Sequence, residues 1–142
     1  MSLEDDLYRE LIIEHSQHPS HRHTIENPTI VEEGVNRSCG DVVVLQLLMD
    51  QGVIRDIALQ GQSCSICTAS GSLMADALEG RTTEQAEDLI DQFKTMVVEG
   101  RAVVFPPGQE DLGALAGVSR YPVRVKCATL PWNTLEQALK KR

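Results

Sequence analysis

One apolar hairpin constrains the fold of this chain more than any other feature. Residues 42–49 are almost all β-branched or large and apolar, a composition typical of β-strands. The tripeptide Asp50-Gln51-Gly52 follows, and such residues favour a tight turn between antiparallel strands. Residues 52–59 then return as a second strand. The sequence therefore predicts an antiparallel hairpin at the centre of the fold.

The stretch before the hairpin, residues 29–35, supplies a third strand, so an antiparallel sheet of about three strands is expected. The chain of 142 residues is 42% hydrophobic and 24% charged, which is an ordinary globular composition. A chain of this length can bury a substantial core without disulfides or a metal to hold it together. We therefore predict a single domain over residues 1–142.

Three helices are predicted from apolar residues that recur at helical spacing. The first covers residues 3–17, where Ser2 can serve as the N-cap. The second follows a candidate N-cap at Ser63 and ends at Gly80, and the third covers about residues 83–99. Helices packed on an antiparallel sheet place the chain in the α+β class.

The last helix is positioned by a proline. Residues 128–140 have helical character and include Pro131, which is tolerated in a first turn but breaks a helix interior. The helix should therefore begin close to Cys127, at its N-terminus. The looser segment before it, residues 101–117, is expected to hold a short helix at 109–115.

Charge and cysteine content limit the possible functions. The formal net charge of −8 disfavours binding to nucleic acid, which requires a clustered basic face. Residues 1–10 lack the features of a secretory signal, and no apolar run approaches the roughly 18 to 20 residues of a membrane span. We expect a cytoplasmic protein without nucleic-acid or membrane partners. There the four cysteines should stay reduced and serve a metal or catalysis: Cys39, Cys64, Cys67 and Cys127.

The Cys39-Gly40-Asp41 motif can direct a thiol and a carboxylate toward one cation, because Gly40 permits a tight or positive-φ backbone. Cys64 and Cys127 are both expected at helix N-termini, where the partial positive charge favours thiolates. Three thiolates and one carboxylate complete a tetrahedral zinc site. The carboxylate is the harder and weaker ligand, so it leaves one corner of the site easier to open.

Cys67 competes for a place in this site, because Cys64-Ser65-Ile66-Cys67 is a C-x-x-C motif. Such a motif occurs in zinc knuckles and in redox dithiols. A redox dithiol is expected near a βαβ unit, and none is predicted here. We interpret Cys67 as a small hydrophobic residue of the helix, with contact to the metal as the alternative.

Four closely spaced histidines lie at the end of the first helix and just after it. A shared metal-binding face is not expected, because Pro19 interrupts the helix that would carry it. Histidines near a helix C-terminus suit its negative end, so exposed or capping roles are predicted. The four are His15, His18, His21 and His23.

Taken together, these motifs resemble the IscU/SufU family of iron–sulfur cluster assembly proteins, and the resemblance covers most of the chain. Three cysteines and an aspartate in this order make it specific. The residues that carry it are Tyr8, His15 and Pro19, then Asn36 with Cys39-Gly40-Asp41, then Gly61 with Cys64-Ser65-Ile66, and finally Val125-Lys126-Cys127-Ala128-Thr129-Leu130.

Within this family the chain is more similar to the SufU type. A segment is added around residues 100–118, before the third motif cysteine, and Lys126 stands where the IscU type has a histidine. The chaperone-binding Leu-Pro-Pro-Val-Lys of the IscU type is replaced as well. In its place this chain has Arg120-Tyr121-Pro122-Val123-Arg124.

The resemblance implies an α+β fold, a three-stranded antiparallel sheet packed with helices. It also implies a zinc held by four residues, Cys39, Asp41, Cys64 and Cys127. Cys39 would accept persulfide sulfur from a SufS-type cysteine desulfurase, giving at most a sulfurtransferase-like role. In the IscU type, the same residues would instead assemble an iron–sulfur cluster and pass it to acceptor proteins.

Two further possibilities remain at this stage. The metal could be passive, in a structural zinc-binding domain. Basic residues beside the third cysteine, Arg124 and Lys126, could raise the local positive potential and support thiolates or an anionic sulfur intermediate. Solvated basic residues in a loop are an equally good interpretation of this pair.

Overall fold

The structure, a computed structural model, describes residues 3–141, and these contain three antiparallel strands, four α-helices and one 3₁₀ helix. The predicted α+β class is confirmed. No helix in this described part of the chain combines the length and apolar character needed to cross a bilayer. In chain order the elements are α1 Leu3–Gln17, β1 Ile30–Asn36, β2 Asp41–Asp50, β3 Val53–Gln60, α2 Ser65–Leu78, α3 Thr83–Val97, the 3₁₀ helix Glu110–Arg120 and α4 Pro122–Leu139.

The sheet has the strand order β1-β2-β3, and both pairs are antiparallel. Gln51 and Gly52 join β2 to β3 with φ values of 51° and 77°, the positive φ pair that a tight hairpin turn requires. The predicted hairpin is therefore confirmed. At the other end of β2, Asn36 of β1 pairs with Asp41. The loop that carries Cys39 thus closes a second hairpin at the edge where the site forms.

The first three helices agree with their predicted positions to within about two residues, a difference within the ordinary uncertainty of helix ends. The proposed cap at Ser2 lies outside the described residues. The proposed cap at Ser63 is wrong, because Cys64 is the N-cap of α2. Its backbone is extended, and its Sγ accepts a hydrogen bond from the backbone N–H of Cys67 at 3.4 Å. A sulfur atom therefore does the capping that a serine hydroxyl usually does.

Helix α4 begins at Pro122, earlier than the sequence predicts. Two prolines are compatible with a helix start, and Pro122 takes the first helical turn while Pro131 lies inside the helix. The interior proline removes one backbone hydrogen bond. Burial of residues such as Trp132 outweighs that loss, because tertiary packing overrides local propensity. The prediction that Cys127 lies at a helix N-terminus is therefore wrong.

A buried polar link fastens α2 to α4 beneath the site. The indole N–H of Trp132 donates to the hydroxyl of Ser70 at 3.0 Å, and that hydroxyl donates to the carbonyl of Ala128 at 2.6 Å. Trp132 also stacks on Phe93 of α3, with ring centroids 4.3 Å apart. Ala128 follows Cys127 directly. The position of that cysteine relative to α2 is consequently fixed by packed side chains rather than by a loop.

Strand β1 approaches α4 closely at Gly34. A Cβ added to Gly34 would overlap the side-chain oxygen of Thr134. We expect Gly34→Ala to lower the free energy of unfolding by about 1–3 kcal/mol, the usual effect of overpacking. Urea unfolding measures it. Gly117→Ala is the matched control, since a Cβ there meets nothing within 4 Å.

The overlap also predicts a specific rescue. Adding Thr134→Ala to Gly34→Ala removes the opposing oxygen and should recover part of the lost stability. A Gly34→Ala protein as stable as the wild type would show that the two elements are not in close contact there.

Candidate metal centre

The loop between β1 and β2 presents Cys39 at the surface. The side-chain oxygen of Asn36 accepts the backbone N–H of Ser38 at 3.2 Å, which shapes the loop as an Asx turn. Gly40 has φ 72°, the positive value that its position in the motif suggests. Cys39 is exposed whereas Asp41 is fully buried. The glycine therefore lets an accessible thiol and a buried carboxylate stand two residues apart.

Asp41 begins β2 on the face of the sheet that packs against the helices. It follows the same alternation as Val43 and Leu45, which are also buried. One carboxylate oxygen, Oδ1, accepts the backbone N–H of Cys64 at 2.8 Å. The other, Oδ2, lies 3.9 Å from the Sγ of Cys64. A single buried carboxylate thus connects the β1–β2 loop to the start of α2.

Cys127 reaches the same point from α4. Its Sγ lies 3.3 Å from the Sγ of Cys39. Ligand atoms of Cys39, Asp41 and Cys127 all lie within 4.8 Å of one another, a grouping that could hold a metal ion. Cys64 adjoins this group through Asp41. The structure therefore brings together the four residues that were predicted from the sequence as metal ligands.

Asn36 is an additional neighbour of the site that the sequence analysis assigned no role. Its side-chain nitrogen lies 4.0 Å from the Sγ of Cys127, while its oxygen holds the loop. The available signal was an asparagine two residues before Ser38, a spacing typical of Asx turns. Asn36 is thus placed to position the loop and to donate toward a sulfur.

Burial raises the pKa of the Cys127 thiol well above its ordinary value, and hydrogen bonds with Cys39, Cys64 and Asp41 raise it further. The predicted helix-dipole stabilisation of a Cys127 thiolate is therefore wrong, because the residue lies within α4. Cys64 does stand at a helix start, as its N-cap. A cation among these groups would reverse the preference and deprotonate coordinating thiols.

Cys67 does not belong to the group of ligand atoms found within 4.8 Å of one another in the described part of the chain. It is 1% exposed, and burial raises the pKa of its thiol to about 12. Without a cation beside it the thiol is consequently neutral at physiological pH, which disfavours it as a nucleophile. Its placement in the apolar core supports the interpretation of Cys67 as a small hydrophobic residue.

Arg124 and Lys126 are exposed on the first turns of α4. Arg124 precedes Cys127 by three residues, so the two lie on the same side of the helix. The guanidinium of Arg124 stacks over the ring of Tyr121 at 4.8 Å. Within the described part of the chain, no hydrogen bond or ion pair joins either basic residue to the thiols. Any stabilisation of thiolates by Arg124 and Lys126 therefore comes from their electrostatic potential alone.

The four histidines in and after the last turn of α1 only partly follow the expectation of exposed or capping roles. His18 and His23 are exposed. The ring of His21 is only 12% exposed, and His15 hydrogen-bonds through Nδ1 to the hydroxyl of Ser72 at 2.7 Å. The expectation is wrong for these two, because His15 faces α2 from within α1, and the segment that carries His21 lies against β3.

The chain matches the family described as NifU-like N terminal domain over residues 7–141. It belongs to this family. The sequence motifs had indicated the related IscU/SufU group, and that resemblance is confirmed by curated relatives that carry these names.

Two curated relatives and one solved structure illustrate the similarity. The "Iron-sulfur cluster assembly scaffold protein IscU" of Streptococcus pyogenes serotype M1 is 41% identical, over 95% of this chain and 84% of its own length. The "Zinc-dependent sulfurtransferase SufU" of Bacillus subtilis is 36% identical, over 96% of this chain and 92% of its own. A crystal structure of a SUF-system scaffold from Fervidobacterium islandicum AW-1 is 36% identical with TM-score 0.83, covering 92% of this chain and 94% of that one.

Proposed function

We propose that this chain works in iron–sulfur cluster assembly as a zinc-dependent acceptor of persulfide sulfur. One observation carries the proposal: a buried carboxylate and three thiols converge, and only Cys39 among them is exposed. An accessible thiol above a buried metal-binding set suits transfer of a group from another protein. The name of the Bacillus subtilis relative, a zinc-dependent sulfurtransferase, supports the same role.

The chemistry of the donor set fits zinc. Sulfur and oxygen atoms from four residues match the number and type of ligands at tetrahedral zinc sites. Cys39, Asp41, Cys64 and Cys127 would hold the ion, and its charge would keep the coordinating thiols deprotonated. Asp41 has the lowest affinity of the four ligands for a soft ion, so one coordination position of the site is held only weakly.

Sulfur transfer requires Cys39 to act as a nucleophile. The Cys39 thiolate attacks the outer sulfur of a persulfide on the partner protein, a new S–S bond forms at Cys39, and the partner's cysteine leaves as a thiolate. No net oxidation occurs, since one S–S bond replaces another. Arg124 and Lys126 would add positive potential near the anionic product. The exposure of Cys39 on a hairpin loop gives the persulfide access.

The partner implied by this reaction is a cysteine desulfurase of the SufS type, which carries the persulfide. Iron–sulfur acceptor proteins would follow downstream. We further propose that the reaction takes place in the cytoplasm, where reduced thiols persist.

The test combines metal content with desulfurase rate. Protein purified without added metal should contain about one zinc by elemental analysis, as four ligands for one ion require. It should stimulate the desulfurase several-fold. Cys39→Ala should abolish the stimulation, whereas Cys67→Ala should retain it. Stimulation that survives Cys39→Ala would overturn the proposal.

A second candidate is a scaffold on which an iron–sulfur cluster is built and passed on. The name of the Streptococcus pyogenes relative favours it, and the same three thiols could hold a cluster. The elemental analysis separates the two. Iron and sulfide in comparable amounts, with little stimulation of the desulfurase, would support the scaffold.

A further inference from the structure

A second group of metal-ligand side chains lies away from the thiols, where the segment between α1 and β1 crosses β3. The backbone N–H of Leu59 donates to the carbonyl of His21 at 2.9 Å, and the Gln60 side chain donates to the carbonyl of His23 at 2.9 Å. These bonds hold both histidines against the sheet. Asp56 projects from β3 beside them.

The ring of His21 is oriented by the backbone. Its Nδ1 lies 3.0 Å from the carbonyl oxygen of Ile57, and because a carbonyl can only accept, Nδ1 carries the proton. Ligating histidines are commonly held this way, with one ring N–H on a carbonyl and the other nitrogen on the metal. The other ring nitrogen, Nε2, lies 3.1 Å from the Oδ1 of Asp76. Two acceptors at that distance require a proton or a cation.

His23 and Asp56 complete the group. The Nε2 of His23 lies 2.9 Å and 3.0 Å from the two carboxylate oxygens of Asp56. One ring nitrogen of each histidine and one oxygen of Asp56 all lie within 4.8 Å of one another. Glu79 is also near, 3.7 Å from the Nδ1 of His21. Three carboxylates around two imidazoles give the cluster a negative charge whenever the histidines are neutral.

We propose that His21, His23 and Asp56 form a second, thiol-free site for a divalent transition-metal ion. Imidazole and carboxylate together suit zinc and ferrous iron, and three protein ligands leave positions for water. The ion would fasten the segment after α1 to β3.

Co²⁺ is the probe, added to protein whose thiol site already holds zinc. Cobalt at histidine and carboxylate gives visible d–d bands without the sulfur-to-cobalt charge transfer of a thiolate site. One equivalent should bind with d–d bands alone. His23→Gln and Asp56→Asn should each weaken this binding at least tenfold. His18→Gln, at an exposed histidine of the same segment, is the matched control and should leave it unchanged.

Imidazole ¹⁵N resonances provide a second measurement that does not depend on variants. Zn²⁺ beyond the first equivalent should shift the ring nitrogens of His21 and His23 and leave those of His18 in place. No binding beyond the first equivalent would overturn the proposal, and so would binding that His23→Gln and Asp56→Asn leave intact. Sulfur-to-cobalt absorption reports metal binding at the thiol site separately from binding at the histidines. If the histidine site binds no metal, the proposed sulfur-acceptor function is therefore unaffected. If the sulfur-acceptor function is disproved, the histidine site can still be tested in the same way.

Discussion

Cys127→Ser is expected to weaken zinc binding by about 100-fold or more, since changes in mere neighbours of a metal ligand already cost about 10–100-fold. Cys127 is 3% exposed, and its Sγ lies 3.3 Å from that of Cys39. A serine hydroxyl does not ionise at neutral pH, so the site would lose one of its anionic donors. Competition with a chromogenic chelator measures the affinity, and elemental analysis measures the zinc retained after purification.

Cys67→Ser is the matched control, because Cys67 is a second buried cysteine outside the donor group. It should keep the zinc affinity of the wild type. The same variant tests a redox dithiol formed by Cys64 and Cys67, which would require Cys67 for activity and not Cys39. Zinc lost in Cys67→Ser, or retained in Cys127→Ser, would contradict the ligand assignment.

The central hairpin could be predicted because its signals are local. A run of β-branched residues and a turn with Gly52 are sufficient without long-range contacts. The burial of Asp41 was not predicted, because residues 42–45 are all apolar and show no two-residue period; only the structure puts Asp41 in phase with the buried Val43 and Leu45. A carboxylate in phase with core residues already signals a partner inside the protein.

The start of α4 could not be predicted, because two prolines satisfied the same local rule. Pro122 and Pro131 are both acceptable in a first turn, and only the packing of Trp132 and its neighbours decides between them. The error placed Cys127 at the start of a helix, whereas the residue lies inside α4. Its contact with Cys39 was nevertheless expected, since the family resemblance grouped these residues without requiring the correct helix boundary.

The cluster of His21, His23 and Asp56 could not be predicted for a different reason. The sequence suggested a shared helix face, which Pro19 excludes. The structure brings the side chains together through a non-helical segment lying across β3. No periodicity marks such a crossing, so side chains 33 residues apart, His23 and Asp56, give no local signal.

Asp41→Ala is expected to separate two functions of one carboxylate. In metal-free protein it removes the acceptor for the backbone N–H of Cys64 and should lower the free energy of unfolding by about 1–3 kcal/mol. In metal-loaded protein it removes the weakest ligand, and the remaining thiolates should exchange zinc or release a cluster more slowly. Urea unfolding and the rate of metal transfer to a chelator measure the two effects.

Asp41→Asn is the control that distinguishes these effects. Its amide oxygen can still accept the N–H of Cys64, so most of the stability should be kept, while the anionic ligand is lost. Both variants should exchange zinc slowly, and only Asp41→Ala should unfold more easily. This result would assign the hydrogen bond to Cys64 to one carboxylate oxygen and metal binding to the other. If Asp41→Ala leaves exchange, zinc affinity and desulfurase stimulation all unchanged, the metal is passive and the chain is a structural zinc domain, because an exchangeable site requires this corner.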